Sequence, residues 1–122
     1  IMAAGIYNFT IEQGTTFRRV FKYKDTNGNP IDLSSITSLR MQIRESVNSP
    51  NIISEFTSAS GQFIISSSVG STEKDQFTLT IAAITSSNYT FDRAVYDVEL
   101  ENNGTTTRLL QGKIKLSKEV TR

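Results

Sequence analysis

Three carboxylates that alternate along one short segment are the residues best placed to do chemistry in this chain. Asp97, Glu99 and Glu101 stand two residues apart in the segment RAVYDVELE, at 93–101. Two acids can hydrolyse a substrate when they face each other across a cleft, one donating a proton and the other assisting the attack. Side chains two residues apart on a strand lie side by side on one face. We therefore expect no catalytic acid pair here.

A second group of oxygen donors stands in the segment DTNGNPID. Its donors are as closely spaced as those of a calcium-binding loop: Asp25, Asn27, Asn29 and Asp32. The segment lacks the terminal Glu that completes the ligand set of an EF-hand. Asn-Gly and Asn-Pro form turns readily, because Gly and Asn tolerate a positive φ. A turn is the better interpretation, and we predict no metal and no cofactor.

The composition removes most enzymatic chemistry. The 122 residues include no Cys, no His and no Trp. Without Cys there is no disulfide or thiolate ligand, and without His the commonest general base is missing. The chain has 13 basic and 12 acidic residues and a net charge of +1. No overall field therefore attracts nucleic acid or an anionic membrane. We expect a protein that is not an enzyme and that binds neither.

One segment keeps a nucleic-acid hypothesis open. FRRVFKYK, at 17–24, alternates three aromatic residues with arginines and lysines. That pattern is typical of sheets on which single-stranded bases stack. It also predicts a strand that turns its aromatic rings towards a core. The core interpretation is favoured, because the net charge is so small.

The elements that carry these residues are predicted to be short strands. Ser and Thr abound, alternating runs recur, and no segment shows a 3.6-residue apolar period, which indicates an all-β sandwich or barrel. The segment NNG predicts a hairpin turn. The length fits one domain, which we predict to span residues 2–122, and we expect Met2 to be the initiator and Ile1 to be left over from cloning. We predict about seven or eight strands, within these ranges: 6–11, 16–24, 39–45, 51–56, 61–66, 76–84, 93–101 and 105–118. Between the strands at 76–84 and 93–101, we predict that 85–92 is a crossing segment with one short helical turn, capped by Thr85 or Ser86.

Two of these strands carry complementary charges on their outward faces. If the strands at 39–45 and 93–101 pair, opposite charges lie across from each other and contribute roughly 0.2–1 kcal/mol per pair. Lys113 and Lys115 are expected to flank the acids from the other side. A solvated face that fixes strand register is the simpler interpretation, and a charged docking face is the alternative. The two rows are Arg40 with Arg44, and Asp97 with Glu99.

The last strand raises the question of where two adjacent leucines point. Counting back from the inward positions Ile114 and Leu116 makes Leu109 outward, unless a bulge near Gly112 reverses the assignment. An exposed leucine beside an arginine at a sheet edge suits a subunit contact. The last strand and the strand at 17–24 are our interface candidates, with these residues: Arg108, Leu109, Gln111, Lys113, Arg18 and Val20.

The order of the motifs resembles a known family. The chain contains GTTFRRVF, then GNPIDL before LRMQIR, then YDVEL, and finally TRLLQGKIKLSKEVTR. This arrangement is similar to small immunoglobulin-like proteins of tailed bacteriophages and to the N-terminal domain of phage baseplate upper proteins. The resemblance covers nearly the whole chain and implies an immunoglobulin-like antiparallel β-sandwich. It also implies that the protein is made in the bacterial host cytoplasm and becomes part of the virion.

The expected function is that of a non-catalytic structural or assembly module of the phage particle, in the tail, the baseplate or the head. Its partners would be phage structural proteins or further copies of itself. Tyr96 is comparable to the corner tyrosine of such sandwiches, whose hydroxyl would bond the backbone of 85–92, and plain packing in the core is the equal alternative. The alternative is a surface- or carbohydrate-binding module, for which Tyr89 and Phe91 are the candidate loop aromatics.

Overall fold

The computed structural model describes residues 5–22, 33, 38–67, 70 and 74–121. The candidate ligands Asp25, Asn27, Asn29 and Asp32 lie outside the described residues. Within those ranges, no helix combines the length and the apolar character needed to span a bilayer. The elements follow one another in this order: β1 (Gly5–Ile6), β2 (Phe9–Glu12), β3 (Phe17–Lys22), β4 (Ser38–Arg44), β5 (Ser54–Thr57), β6 (Phe63–Ser66), β7 (Gln76–Ile81), α1 (Ala83–Ser87), β8 (Arg93–Asn102) and β9 (Thr105–Ser117).

The strands form two sheets that pack face to face. The larger sheet has the order β1-β9-β8-β4-β5, with β2 also paired to β9, and the smaller sheet has the order β3-β7-β6. Alternate side chains of both sheets fill the space between them. In β4, for example, Leu39, Met41 and Ile43 are fully buried, whereas Arg40 is exposed. This alternation confirms the prediction made for 39–45.

The strand order is that of an immunoglobulin-like sandwich. β4, β8 and β9 take the places of strands C, F and G, β3, β7 and β6 those of B, E and D, and β5 that of the additional strand C′. β1 and β2 run parallel to β9. The predicted all-β sandwich is confirmed. The described residues contain nine strands because the first predicted strand is divided into β1 and β2.

The division between β1 and β2 has a steric cause on the neighbouring strand. The chain leaves the regular β path at Tyr7 and Asn8 and passes directly over Gly112 of β9. A Cβ atom on Gly112 would overlap the carbonyl oxygen of Tyr7. The Asn8 Oδ1 atom also accepts a hydrogen bond from the Lys113 N–H at 2.9 Å. Glycine is thus required at this crossing by close approach rather than by an unusual φ.

Tyr96 holds the same crossing from within the core. Its hydroxyl donates a hydrogen bond to the Tyr7 carbonyl oxygen at 2.5 Å. The prediction that this hydroxyl bonds the backbone of 85–92 is therefore wrong. The N-terminal segment, paired with β9, runs across the phenol and offers the nearer carbonyl. Burial raises the pKa of the Tyr96 hydroxyl, so it stays a neutral donor.

A β-bulge in β9 turns both adjacent leucines inward. Glu99 lies opposite Arg108 and Val98 lies opposite Leu110, so Leu109 is the extra residue in the ladder. Leu109 is 6% exposed, and Leu110 packs against the same core. The prediction that Leu109 points outward is wrong, because the bulge lies at this residue and reverses the strand's alternation there.

The two turn predictions around β8 have different outcomes. The turn of the β8–β9 hairpin contains Asn103 and Gly104, with φ values of 51° and 82°, as the NNG segment predicted. The predicted capping of α1 is wrong, since the N-cap residue is Ala82 and makes no side-chain cap bond. Ser86 is instead fully buried within α1, where its hydroxyl donates to the Thr15 carbonyl oxygen at 2.9 Å. It therefore ties α1 to the turn before β3.

Candidate functional site

The predicted charge rows lie together on the outward face of the larger sheet, which we call the charged face. β4 and β8 are antiparallel neighbours, and β9 lies on the other side of β8. Because outward positions alternate along each strand, all three strands present their polar residues on one side. The charged face consists of Arg40, Gln42, Arg44, Arg93, Val95, Asp97, Glu99, Arg108, Gln111, Lys113 and Lys115.

Two ion pairs hold the acidic part of the charged face. Arg40 lies opposite Glu99 in the register, and its Nη2 atom is 3.6 Å from Glu99 Oε1. The Nε atom of Arg108 is 3.5 Å from Asp97 Oδ2. Exposed pairs of this kind contribute about 0–1 kcal/mol each, so they fix register more than they stabilise the fold. Arg44, the other predicted cation, instead donates to the Ser49 carbonyl oxygen at 2.8 Å.

Lys113 and Lys115 do not flank the acids, contrary to the prediction. Gln111 lies opposite Asp97, and because β8 and β9 are antiparallel, Lys113 lies opposite Val95 and Lys115 lies opposite Arg93. The two lysines therefore lie towards the end of the charged face that is farther from Glu99. The residue that reaches the acidic row from β9 is Arg108.

The position of Asp97 disfavours its charged form. Partial burial raises the pKa of Asp97, and the negative charge of Glu99 raises it further. The positive charges of Arg108, Arg40 and Arg44 lower this pKa, but they do not cancel the increase. Its side chain is still 37% exposed. Asp97 is thus a carboxylate in an ion pair on a sheet surface.

The geometry does not assemble the carboxylates into a catalytic or metal site. Asp97 and Glu99 are engaged with arginines, and Glu101 is exposed near the end of β8. Across the described ranges, no group of three or more acidic side chains is arranged to hold a metal ion. The side chains of Asp97 and Glu99 project from the same face of β8.

The outward face of the smaller sheet carries exposed apolar residues instead. Val20 of β3 and Ile64 of β6 both lie opposite Thr78 of β7, so the three residues form one row across the sheet. Val20 is 48% exposed and Ile64 is 59% exposed. We call Val20, Thr78 and Ile64 the apolar row. Arg18, an interface candidate with Val20, is exposed on the same face of β3.

The remaining interface candidates on β9 differ in exposure. Arg108 is exposed and donates to the Gln111 Oε1 atom at 3.3 Å. Gln111 is half-buried, and Lys113 is exposed. Leu109 is removed from any surface by the bulge. Arg108, Gln111 and Lys113 therefore lie together on the charged face, whereas Leu109 lies in the core.

The described aromatic residues proposed for ligand stacking pack in or against the core, and Tyr23 lies outside the described residues. Tyr89 and Phe91, the candidates for carbohydrate binding, are 4% and 6% exposed, and the Tyr89 hydroxyl shares a 2.7 Å hydrogen bond with the Ser54 hydroxyl. On β3, Phe17 stacks on Phe9 and Phe21 on Phe77, with ring centroids 5.0 and 5.2 Å apart. Phe17 and Phe21 stack with core rings, while Tyr89 and Phe91, although mostly buried, also line a surface hollow of about 320 Å³.

Two residues with a clear structural position, Arg19 and Ile64, were not singled out from the sequence. Arg19 points inward, donates to the Tyr7 hydroxyl, and has its guanidinium carbon 5.3 Å from the centre of the Phe17 ring. The alternation of FRRVF already places Arg19 on the side of the aromatic rings, so the signal was present. Ile64 was missed because the apolar run FII does not show which of its residues points outward.

These features define a class of protein: an immunoglobulin-like sandwich whose larger sheet carries the charged face on its open surface. No protein-family model matches the chain. No curated protein matches it either. A solved structure with 10% sequence identity and a TM-score of 0.40 covers 98% of this chain and 96% of its own. It comes from work on multimeric cell-adhesive interactions of VGSC beta subunits. So distant a similarity carries no argument about function, and the fold assignment above is derived from the strand order.

Proposed function

We propose that this protein is a non-catalytic structural or assembly module of a tailed bacteriophage particle, acting through protein–protein contacts. The apolar row carries the proposal. Val20 and Ile64, from two different strands, leave apolar side chains exposed at the same height of one sheet. Grouped apolar residues on a sheet surface are typical of contact sites, whereas single ones are common everywhere.

The edges of the smaller sheet support the same proposal. Among the described strands, none pairs with the outer side of β3 or of β6. β3 is protected against edge pairing by Arg18, Arg19 and Lys22. β6 has the sequence Phe-Ile-Ile-Ser, without a charge or a proline, and is therefore the edge better suited to a neighbouring chain.

The phage assignment is supported by the resemblance of the ordered motifs from GTTFRRVF to TRLLQGKIKLSKEVTR. Mass spectrometry of purified virions, from the phage whose genome encodes the chain, tests it. We expect the protein in the particle at a fixed ratio to the major tail or head protein. Presence in the lysate together with absence from particles purified by density gradient would refute the structural role.

A further inference from the structure

A groove crosses the charged face along β8 and β9. It consists of two adjoining hollows of about 520 and 480 Å³, which share Asn8, Val95 and Lys113 as lining residues. From Asp97 to Arg93 the groove follows four residue steps of β8, or about 13 Å at 3.3 Å per residue. This length accommodates four or five residues of an extended peptide.

The charges along the groove are unevenly compensated. At one end, Asp97 and Glu99 are paired with Arg108 and Arg40, as described above. At the other end stand three cations of the charged face: Arg93, Lys113 and Lys115. Within the described part of the chain, none of the three has a carboxylate in ion-pair contact. Glu45 lines the second hollow as well, one acid among several cations.

The register makes this cationic end unfavourable for the isolated chain. Arg93 and Lys115 are direct cross-strand partners, and like charges in that position destabilise a sheet. Lys113 lies two residues from Lys115 on the same face, so the repulsion extends along the groove. A carboxylate bound between these side chains would replace the repulsion with charge-assisted hydrogen bonds.

Aliphatic side chains form part of the walls of the groove. Ile6 and Val47 line the first hollow and are 75% and 82% exposed, and Val95 lies between the two hollows. Proteins that hold single-stranded nucleic acid combine basic residues with exposed aromatic rings on which bases stack. The rings that reach this groove, Phe9 and Tyr96, are buried. Cations beside exposed aliphatic side chains instead suit a peptide that carries both acidic and aliphatic residues.

We propose that this groove binds an extended acidic segment of a partner protein, with its carboxylates at Arg93, Lys113 and Lys115. The inference rests on the proposed assembly role in taking the occupant to be a segment of another protein. It adds the chemistry of that segment and the place where it binds.

A fluorescein-labelled octapeptide of alternating Glu and Val tests the proposal by fluorescence anisotropy. We expect saturable binding that weakens between 50 and 300 mM salt, and at least tenfold weaker binding of the same peptide with Gln in place of Glu. The double variant K113Q/K115Q should lose at least tenfold in affinity. The matched variant R18Q/K22Q, which removes two exposed cations from the smaller sheet, should stay within twofold. Both variants alter exposed side chains, and their thermal melts check that the fold is kept.

Several outcomes would overturn the proposal. These are equal binding of the Gln peptide, an equal loss in R18Q/K22Q, or amide shifts in NMR spectra that map away from 93–97 and 111–115. Tighter binding of an eight-nucleotide oligothymidine would assign the groove to nucleic acid instead. A dimer abolished by K113Q/K115Q, seen by light scattering, would assign it to a second copy. Each of these results leaves the virion test of the proposed function unaffected.

Discussion

Asp97 occupies a position on the charged face where its ionised form is disfavoured. Its raised pKa means that the folded protein holds this proton to a higher pH than the unfolded chain does. As the pH rises from the ordinary value of an aspartate through the raised one, the unfolded state releases the proton first. The contribution of Asp97 to stability therefore falls across this window and remains low above it.

The variant D97N removes this titration. We expect the stability difference between D97N and the natural protein to move in favour of D97N as the pH rises through that window. The lost ion pair with Arg108 is exposed and has a small effect. Urea unfolding of both proteins between pH 3.5 and 6.5 measures the difference. A difference that is constant, or that moves the other way, would contradict the stated cause of the pKa shift.

Two adjacent arginines on β3 have opposite surroundings. Arg19 points into the sandwich, where it donates to the Tyr7 hydroxyl and lies over the Phe17 ring, while Arg18 is exposed. We expect R19A to lower the free energy of unfolding by about 1–3 kcal/mol, because it loses a hydrogen bond, a cation–π contact and packing of the side-chain stem. The matched variant R18A should change it by less than about 0.5 kcal/mol. Chemical denaturation of the two variants compares them, and similar losses would show that Arg19 is not a packing residue.

At the level of the elements, the N-terminal segment depends on one glycine of β9. β1 and β2 both pair with β9, and the strand is interrupted between them at Tyr7 and Asn8. Gly112 has no side chain, which leaves room for the chain to cross β9 at this point. The Tyr7 N–H also donates to the Gln111 carbonyl oxygen at 2.9 Å. The attachment of the first two strands is therefore a property of β9 as much as of their own sequence.

The variant G112A tests this dependence. Its added methyl group would overlap the Tyr7 carbonyl oxygen, so we expect a loss of about 1–3 kcal/mol and faster hydrogen exchange of the Tyr7 amide. G5A is the control, since a methyl group there would lie 3.5 Å from its nearest neighbour, an ordinary contact. Urea unfolding and amide exchange measure both effects. Equal behaviour of G112A and G5A would mean that the crossing is not sterically controlled.

The same element level shows what the sequence could and could not predict. The alternation in β4 follows from the order of its own residues, and the structure has it as predicted. The position of the bulge depends on how β9 pairs with β8, which no local pattern specifies. With the bulge at Leu109, both this leucine and the inward residues from Leu110 to Leu116 reach the core, and the lysines between them stay outside. A ladder without a bulge could not give the residues before Leu109 and those after it their observed faces at the same time.

The partner of Tyr96 was missed for a related reason. Its hydroxyl meets the carbonyl of Tyr7, a residue 89 positions away in the chain. Such a contact follows from the parallel pairing of the first and last parts of the chain, which a single sequence does not reveal. The surface residues, too, include some that the sequence could predict and some that it could not. The outward arginines of β4 were predictable, whereas the row formed by Val20 and Ile64 required the register of three strands.

At the level of the whole molecule, the two sheets present different surfaces to neighbours. The charged face offers cations and a groove, and the smaller sheet offers the apolar row beside the uncharged edge of β6. One molecule can therefore contact two unlike partners at once, one through each sheet. That arrangement suits an assembly module within a larger particle.

Substitution of the exposed Ile64 tests whether the smaller sheet mediates association between molecules. We expect the natural protein to show concentration-dependent association in size-exclusion chromatography with light scattering, and I64K to remain a monomer at the same concentrations. A lysine on this edge strand introduces charge repulsion between copies. I84K is the matched control, because Ile84 is 76% exposed but lies on α1, outside the apolar row. Association that persists in I64K, or that I84K abolishes equally, would exclude this edge.

The parallel pairing of β1 and β2 with β9 has a mechanical consequence. Gly5 lies beside Leu110 and Glu12 beside Ser117, so the first and last described strands start at the same end of the sandwich. A force that pulls Gly5 and Ser117 apart therefore acts along both strands and shears all of their mutual hydrogen bonds at once. Rupture requires those bonds to fail together rather than to unzip in turn, and a tether attached at these two ends would resist extension until they did.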